Sequence, residues 1–199
     1  MRKAAADKGL VMSVAENYRR DPVNRLAKAL LDAGILGTPR FMMHHSVGAQ
    51  GNMMLISVWR HQKDQSGVLL DVGVHFADIM EYFMGPIESI YAQTRLYEKI
   101  RHNPAGAGET PQSAPNPIYA KFQRAMPADF EATAEDAAYA TIHFANGAVG
   151  QYIENHAGHG KGIWCREIHG SLGSMDMPND RSGGHLVLYR RGHETIDDG

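Results

Sequence analysis

The spacing of apolar positions divides the chain into segments of different period. Leu10-Val11-Met12-Ser13-Val14-Ala15 is a short continuous apolar run and predicts a buried parallel strand. Residues 1–9 before it suit the end of a helix closed by Gly9. Val23, Leu26, Ala27, Leu30 and Leu31 then recur at helical spacing. Asp21 is a good cap for that helix, Pro22 fits its first turn and Gly34 can end it. Helix, strand, helix is the rhythm of a doubly wound α/β sheet.

The pattern shifts after Gly34. Phe41 to Val47 reads as a strand, and a polar loop leads from it to Trp59-Arg60. Val72, Phe76, Ile79 and Phe83 mark the apolar stripe of a third helix, predicted from near Ser66 to Gly85-Pro86. Ile87 to Leu96 is strand-like. Ala138, Ala140, Ile142 and Phe144 alternate with Tyr139, Thr141 and His143, and Asn146-Gly147 predicts a type I′ turn into Val149 to Ile153. Ile163 to His169, Ser174 to Met177 and His185 to Arg190 complete the strand signals. The body is therefore expected to be α+β with a mostly antiparallel sheet. Residues 101–127 hold five of the nine prolines and predict an irregular excursion rather than a core element.

Composition narrows the class. With 43% hydrophobic and 21% charged residues and a formal net charge of -2, the chain has the profile of a soluble domain. Nothing in it favours nucleic acid or an anionic membrane. Cys165 is the single cysteine, so no intrachain disulfide can form, which fits a reducing, cytoplasmic setting.

Asp71, His75 and Asp78 are the strongest chemical constellation. Spacings of four and three place them on one face of the third helix, where a carboxylate can orient an imidazole that moves protons near neutral pH. An ordinary helical hydrogen-bonded pair has the same spacing. Gly73, between them, costs about 1 kcal/mol relative to alanine in a helix, so it is expected to admit a close neighbour. The eleven histidines raise the question of metal. His44 and His45 are adjacent on a strand and point to opposite faces, while His156 and His159 lie in a glycine-rich loop without cysteines; no metal site is expected. Trp59-Arg60 has the make-up of a planar ligand clamp or of loop packing. Tyr18, Arg19 and Arg20 follow the first strand, where ligands of open α/β sheets bind; a solvated basic turn would look the same. Gly158, Gly160 and Gly162 open no helix, and the chain holds no Gly-rich phosphate loop.

The order of these motifs resembles the Gfo/Idh/MocA family of oxidoreductases. Carrying the resemblance are Ala15-Glu16-Asn17-Tyr18-Arg19-Arg20-Asp21-Pro22, Trp59-Arg60, the Ser66 to His75 segment with Asp71-x-x-x-His75, Glu135-Asp136, Phe144-Ala145-Asn146-Gly147 and Ile168 to Gly173. The resemblance implies an open-faced sheet with helices on one face, spanning residues 21–199 with an insertion at 101–130. Residues 1–20 would be a remnant of a Rossmann dinucleotide-binding domain. It implies hydride transfer between a sugar, polyol or cyclitol carbon and NAD or NADP, with His75 as acid–base group and Asp71 as its supporting carboxylate. Asn17, Trp59 and Arg60 match cofactor-side positions, and Arg20 is placed for a polar substrate. Homo-oligomers through the open sheet face are implied, with Tyr139, Thr141 and His143 as face candidates. The alternatives are a non-catalytic binding or assembly domain of the same fold, and a metal-dependent sugar isomerase or lyase.

The family's Gly-rich turn and its Glu-Lys-Pro segment do not occur in this sequence; the resemblance would place them before Met1. A pyrophosphate is held by backbone N–H groups of such a turn at a helix N-terminus. Calorimetric titration of this chain by itself with NAD(H) or NADP(H) should therefore show no binding in the low-micromolar range. Binding that tight would mean that other groups hold the pyrophosphate.

Overall fold

A computed structural model describes residues 1–48, 55–103, 117–192 and 196–197. Helix α1 spans Arg2–Ala6 and α2 spans Pro22–Asp32. The caps of α2 follow the sequence: the Val23 N–H donates to Asp21 Oδ1 at 3.4 Å, Pro22 opens the helix, and Gly34 follows in the left-handed region at φ +73°. Between the helices the expected strand is not formed. Residues 11–15 are exposed and belong to no ladder among the described residues. A parallel strand takes its backbone bonds from neighbouring strands, and none of the described strands lies beside this run.

The sheet has eight strands. They are β1 (Pro39–Val47), β2 (Ile87–Arg95), β5 (Ala137–Phe144), β6 (Val149–Asn155), β7 (Ile163–Gly170), β8 (Gly173–Asp176), β9 (Val187–Arg190) and β10 (Ile196–Asp197), in the order β10-β9-β8-β7-β1-β6-β5-β2. Every pairing is antiparallel except β1 with β6. The expected open, mostly antiparallel α+β sheet is what the chain builds. One correction concerns the β5–β6 turn. Asn146 keeps a negative φ and only Gly147 is left-handed, at +85°. The Gly147 N–H bonds the Phe144 carbonyl and the Phe144 N–H bonds the Ala148 carbonyl, which makes a three-residue loop rather than a type I′ turn.

The third helical segment also departs from its expected geometry. Leu69–Gly73 is a π turn, and α3 proper runs from Val74 to Met84. Its stripe of Phe76, Ile79, Met80 and Phe83 packs on one sheet face with Met42, Ile142, Phe144, Ile168 and Met175. At Gly73 an added Cβ would come within 2.9 Å of the Tyr152 hydroxyl, so the missing side chain lets β6 approach the helix. On the other face of the sheet, Met43, His45, Thr141, Gln151 and Cys165 are half-buried, outside the core. Two short strands, β3 (Ile100–His102) and β4 (Asp129–Glu131), pair at the two ends of the 101–127 stretch, and within its described part α4 spans Pro117–Arg124, a helix the sequence reading did not expect. Arg101 is buried against Asp136 at 3.4 Å, which anchors the excursion to the start of β5. Residues 104–116 lie outside the described part.

A buried ion pair ties the layers together. Arg166 on β7 is fully buried and donates from both terminal nitrogens to Asp180, at 2.6 and 2.7 Å. Asn24 of α2, also fully buried, donates to the same carboxylate at 2.7 Å. The Arg166 Nε–H points at His44 Nδ1 at 3.3 Å. Burial, with Arg166 and His45 adding, pushes the His44 pKa well below the usual histidine value, so the ring is neutral.

Two outcomes follow. In hydrogen exchange the amides of Val11 to Ala15 should exchange at near-unfolded rates while those of the β5–β6 hairpin are protected; equal protection would show that the run is paired. Asp180→Ala leaves the Arg166 charge buried and alone, so it should lower stability by about 3–5 kcal/mol. Denaturant unfolding will measure this, and a loss within experimental error of zero would mean that water reaches Arg166.

Candidate functional site

The site gathers at the start of α3, where a 3₁₀ turn at Tyr18–Arg20 and the π turn meet. π turns inside helices recur at functional sites because they re-aim side chains out of the α register. Here they separate the three expected partners. Asp71 Oδ2 accepts from Arg60 Nε at 2.8 Å, and Asp78 accepts twice from Arg19 at 2.5 Å. His75 bonds neither. Its Nδ1 lies 2.8 Å from both oxygens of Glu16.

Glu16 is thus the carboxylate that sequence reasoning missed. Its only signal was an acid immediately after an apolar run, within the Ala15 to Pro22 segment. Burial raises the pKa of Glu16. The His75 hydrogen bond and the Tyr18 and Asn17 backbone N–H groups more than offset this, and hold the carboxyl below the usual range. An ionised Glu16 accepts the Nδ1–H of His75, so Nε2 is the ring nitrogen left for a ligand. Tyr18 stacks on His75 with ring centroids 4.6 Å apart, and the Arg181 guanidinium lies 4.8 Å from the Tyr18 ring. Arg181 is the one non-glycine residue with positive φ among those described, at 58°. That conformation costs about 1–2 kcal/mol. The Asp21 carboxylate holds it, accepting the Arg181 N–H at 2.6 Å.

On the neighbouring side, Arg60 stacks 4.6 Å from the Trp59 ring, which is 44% exposed. Arg60 also bonds Ser57 Oγ at 3.0 Å. Trp59, Arg60 and Asp71 therefore form one connected group, whereas Asn17 and Arg20 are exposed and lie on the Tyr18 turn. The indole thus presents a half-exposed surface with a guanidinium stacked on it. A cavity of about 20 Å³, room for a single water, lies under this group between Arg60, Asp71, Glu135, Asp136 and His156. Among the described residues no group of three or more His, Cys, Asp or Glu could hold a metal ion, and no helix is long and apolar enough to cross a membrane.

Known proteins share this architecture. The family model of the GFO/IDH/MocA C-terminal domain matches residues 24–176. Levoglucosan dehydrogenase of Pseudarthrobacter phenanthrenivorans is 30% identical over 208 residues, covering 98% of this chain and 51% of that protein. A solved levoglucosan dehydrogenase in complex with NADH superposes with a TM-score of 0.73 at 26% identity, over all of this chain and 50% of that one. An oxidoreductase domain protein from Kribbella flavida gives 0.69 at 26% identity, over 98% of this chain and 49% of that one. The chain thus spans about half the length of the relatives it matches. Other levoglucosan dehydrogenase complexes contain L-sorbose or levoglucosan besides NADH. A match over three quarters of the sequence, on a sheet built as that domain's is, settles the lineage: this chain belongs to the GFO/IDH/MocA family of oxidoreductases.

Proposed function

We propose that this chain is the substrate-side part of an NAD(P)-dependent oxidoreductase acting on a sugar, polyol or cyclitol hydroxyl, with His75 as its acid–base group. The observation that carries the reading is the Glu16–His75 pair. A carboxylate on Nδ1 fixes the ring's tautomer and orientation and stabilises the imidazolium that forms when Nε2 takes a proton. An alcohol proton is too weakly acidic to leave unaided, so a base within hydrogen-bond reach is needed. A bound nicotinamide supplies the hydride acceptor. The hydroxyl proton passes to His75 Nε2 as the same carbon gives up its hydride, and a carbonyl remains. Asp71 keeps Oδ1 for a neighbouring hydroxyl, because Arg60 holds Oδ2. Arg20 and Asn17 are the exposed polar groups on the side of the Tyr18 turn, where we assign substrate and cofactor contacts. Trp59 and Arg60 would hold the edge of the cofactor. Residues 1–20 belong on this reading to the dinucleotide-binding side and 21–199 to the substrate domain. The half-buried sheet face bearing Thr141 and Gln151 is the surface we assign to contact with further copies.

The test is turnover in a polypeptide that joins this chain to a family dinucleotide-binding domain. His75→Ala should lower turnover about 10²–10⁴-fold with cofactor affinity nearly intact. Glu16→Gln should cost less, since an amide oxygen still accepts from Nδ1 but carries no charge to stabilise the imidazolium. Near wild-type turnover in His75→Ala across the neutral range would overturn the assignment.

A further inference from the structure

A second carboxylate–imidazole pair lies at the end of β6, with Glu154 on the strand and His156 just past it. Glu154 is fully buried, and its bonding partners are Ser46 Oγ at 3.1 Å, the Tyr152 hydroxyl at 3.4 Å and His156 Nε2 at 2.7 Å. None of these is a lysine or arginine. A buried carboxylate is retained only where its hydrogen bonds are made, and here they lock one ring in place. His156 has Nε2 committed to Glu154 while Nδ1 has no partner among the described residues.

His156 lines two cavities. One is the single-water cavity beside Arg60 and Asp71. The other is open, about 410 Å³, and shared with Ser46, Gly48, Gly162, Trp164 and Asn179. That volume suits a monosaccharide. Its aromatic wall is fixed from behind. The Trp164 indole N–H bonds the Met177 carbonyl at 3.3 Å, and Arg166 lies 4.9 Å from the ring. Phe76, the chain neighbour of His75, meets Trp164 edge-on at 6.0 Å, so the cavity wall and the Glu16–His75 pair share one aromatic contact.

We propose that this cavity is a subsite for a neutral sugar ring, in which Trp164 takes the apolar face and His156 Nδ1 reads a ring hydroxyl. A sugar has the matching make-up, with C–H bonds on its face and hydroxyls on its edge. An indole face attracts the first, and a fixed imidazole, a serine and an asparagine bond the second. No lysine or arginine lines the cavity among the described residues, and the Glu154 carboxylate stands behind the imidazole. Acidic sugars and sugar phosphates would bring a negative charge with no cation to meet it, so they are excluded. The inference rests on the oxidoreductase reading for its choice of sugar as ligand.

The test uses this chain without cofactor. Levoglucosan, L-sorbose and glucuronate are titrated while the two indole N–H signals are followed by NMR, with Trp164→Phe identifying the Trp164 signal. Both neutral sugars should move that signal to saturation and glucuronate should not. His156→Ala should weaken the neutral sugars roughly 3–10-fold, the loss of one neutral hydrogen bond, measured at a temperature where the unfolding curve shows the variant folded, since it also takes a partner from the buried Glu154. His156→Gln, closer in volume, guards against misfolding and should recover part of the affinity. No sugar response at Trp164, equal binding of glucuronate, or wild-type affinity in both folded His156 variants would each overturn the subsite. His75→Ala should leave the Trp164 response intact. Sugar binding here in an enzyme whose turnover ignores His75 would remove the catalytic reading and keep the subsite. Turnover that needs His75 but no effect at His156 would remove the subsite alone.

Discussion

Arg166 is the constraint around which the rest is arranged. A guanidinium with no exposed surface is costly unless each face and edge is answered. Asp180 answers the fork at 2.6 and 2.7 Å, Asn24 adds a contact from α2, His44 takes Nε from the central strand, and the rings of Trp164 and Phe76 lie at 4.9 and 5.8 Å. Strand, helix and the loop before β9 thus converge on one charge. The pair need not make the fold more stable than an apolar cluster would. What it supplies is direction, since a bidentate pair has one geometry and oil-like packing has several.

That direction reaches the site through short links. Asn24, held on Asp180, also donates to the Tyr18 carbonyl at 3.0 Å and so fixes the turn whose ring stacks on His75. Arg181 follows Asp180 in the chain, and its guanidinium lies over the same tyrosine. The strained φ at Arg181 is thus flanked by two fixed points, the Arg166–Asp180 pair and the Asp21 carboxylate. Packed rings and shared hydrogen bonds set His75 and Trp164 at opposite ends of one rigid cluster.

The sequence made some of this visible and hid the rest for a physical reason. Local grammar was legible: Asp21, Pro22 and Gly34 punctuate α2, and the apolar stripe of α3 and the alternation in β5 report which face meets the core. The family resemblance, carried by the order of short motifs, made the open sheet legible too. Hidden were the features that depend on distant partners. Glu16 meets His75 across 59 residues and Asp180 meets Arg166 across 14, and no local period marks either pair. The π turn was hidden as well. Asp71 and His75 share a face only if every turn has 3.6 residues, and a single wider turn sends Asp71 to Arg60 instead. The expected strand at Leu10–Ala15 failed for a related reason: an apolar run specifies a strand only together with neighbours to pair with.

Comparing the two carboxylate–imidazole pairs shows what each depends on. Glu154 lies inside a seven-residue strand laddered on both sides, and His156, one residue past its end, is held by Glu154 and by its own N–H on the Asp136 carbonyl. Glu16 follows directly on the unpaired run, and its own bonds go to His75 and to the N–H groups of Asn17 and Tyr18. The position of that carboxylate therefore carries the conformational entropy of the segment before it. Whatever orders residues 10–15 lowers the cost of forming the Glu16–His75 pair, although it touches neither residue's reacting atom. Ordering by a parallel neighbour on that run would couple the proton-transfer geometry to the docking of the adjoining sheet. The sugar-side wall, built on the ladder, would stay as it is. Recognition and proton transfer thus sit on parts of one chain with very different local stability, and only the second depends on how the first seventeen residues are held.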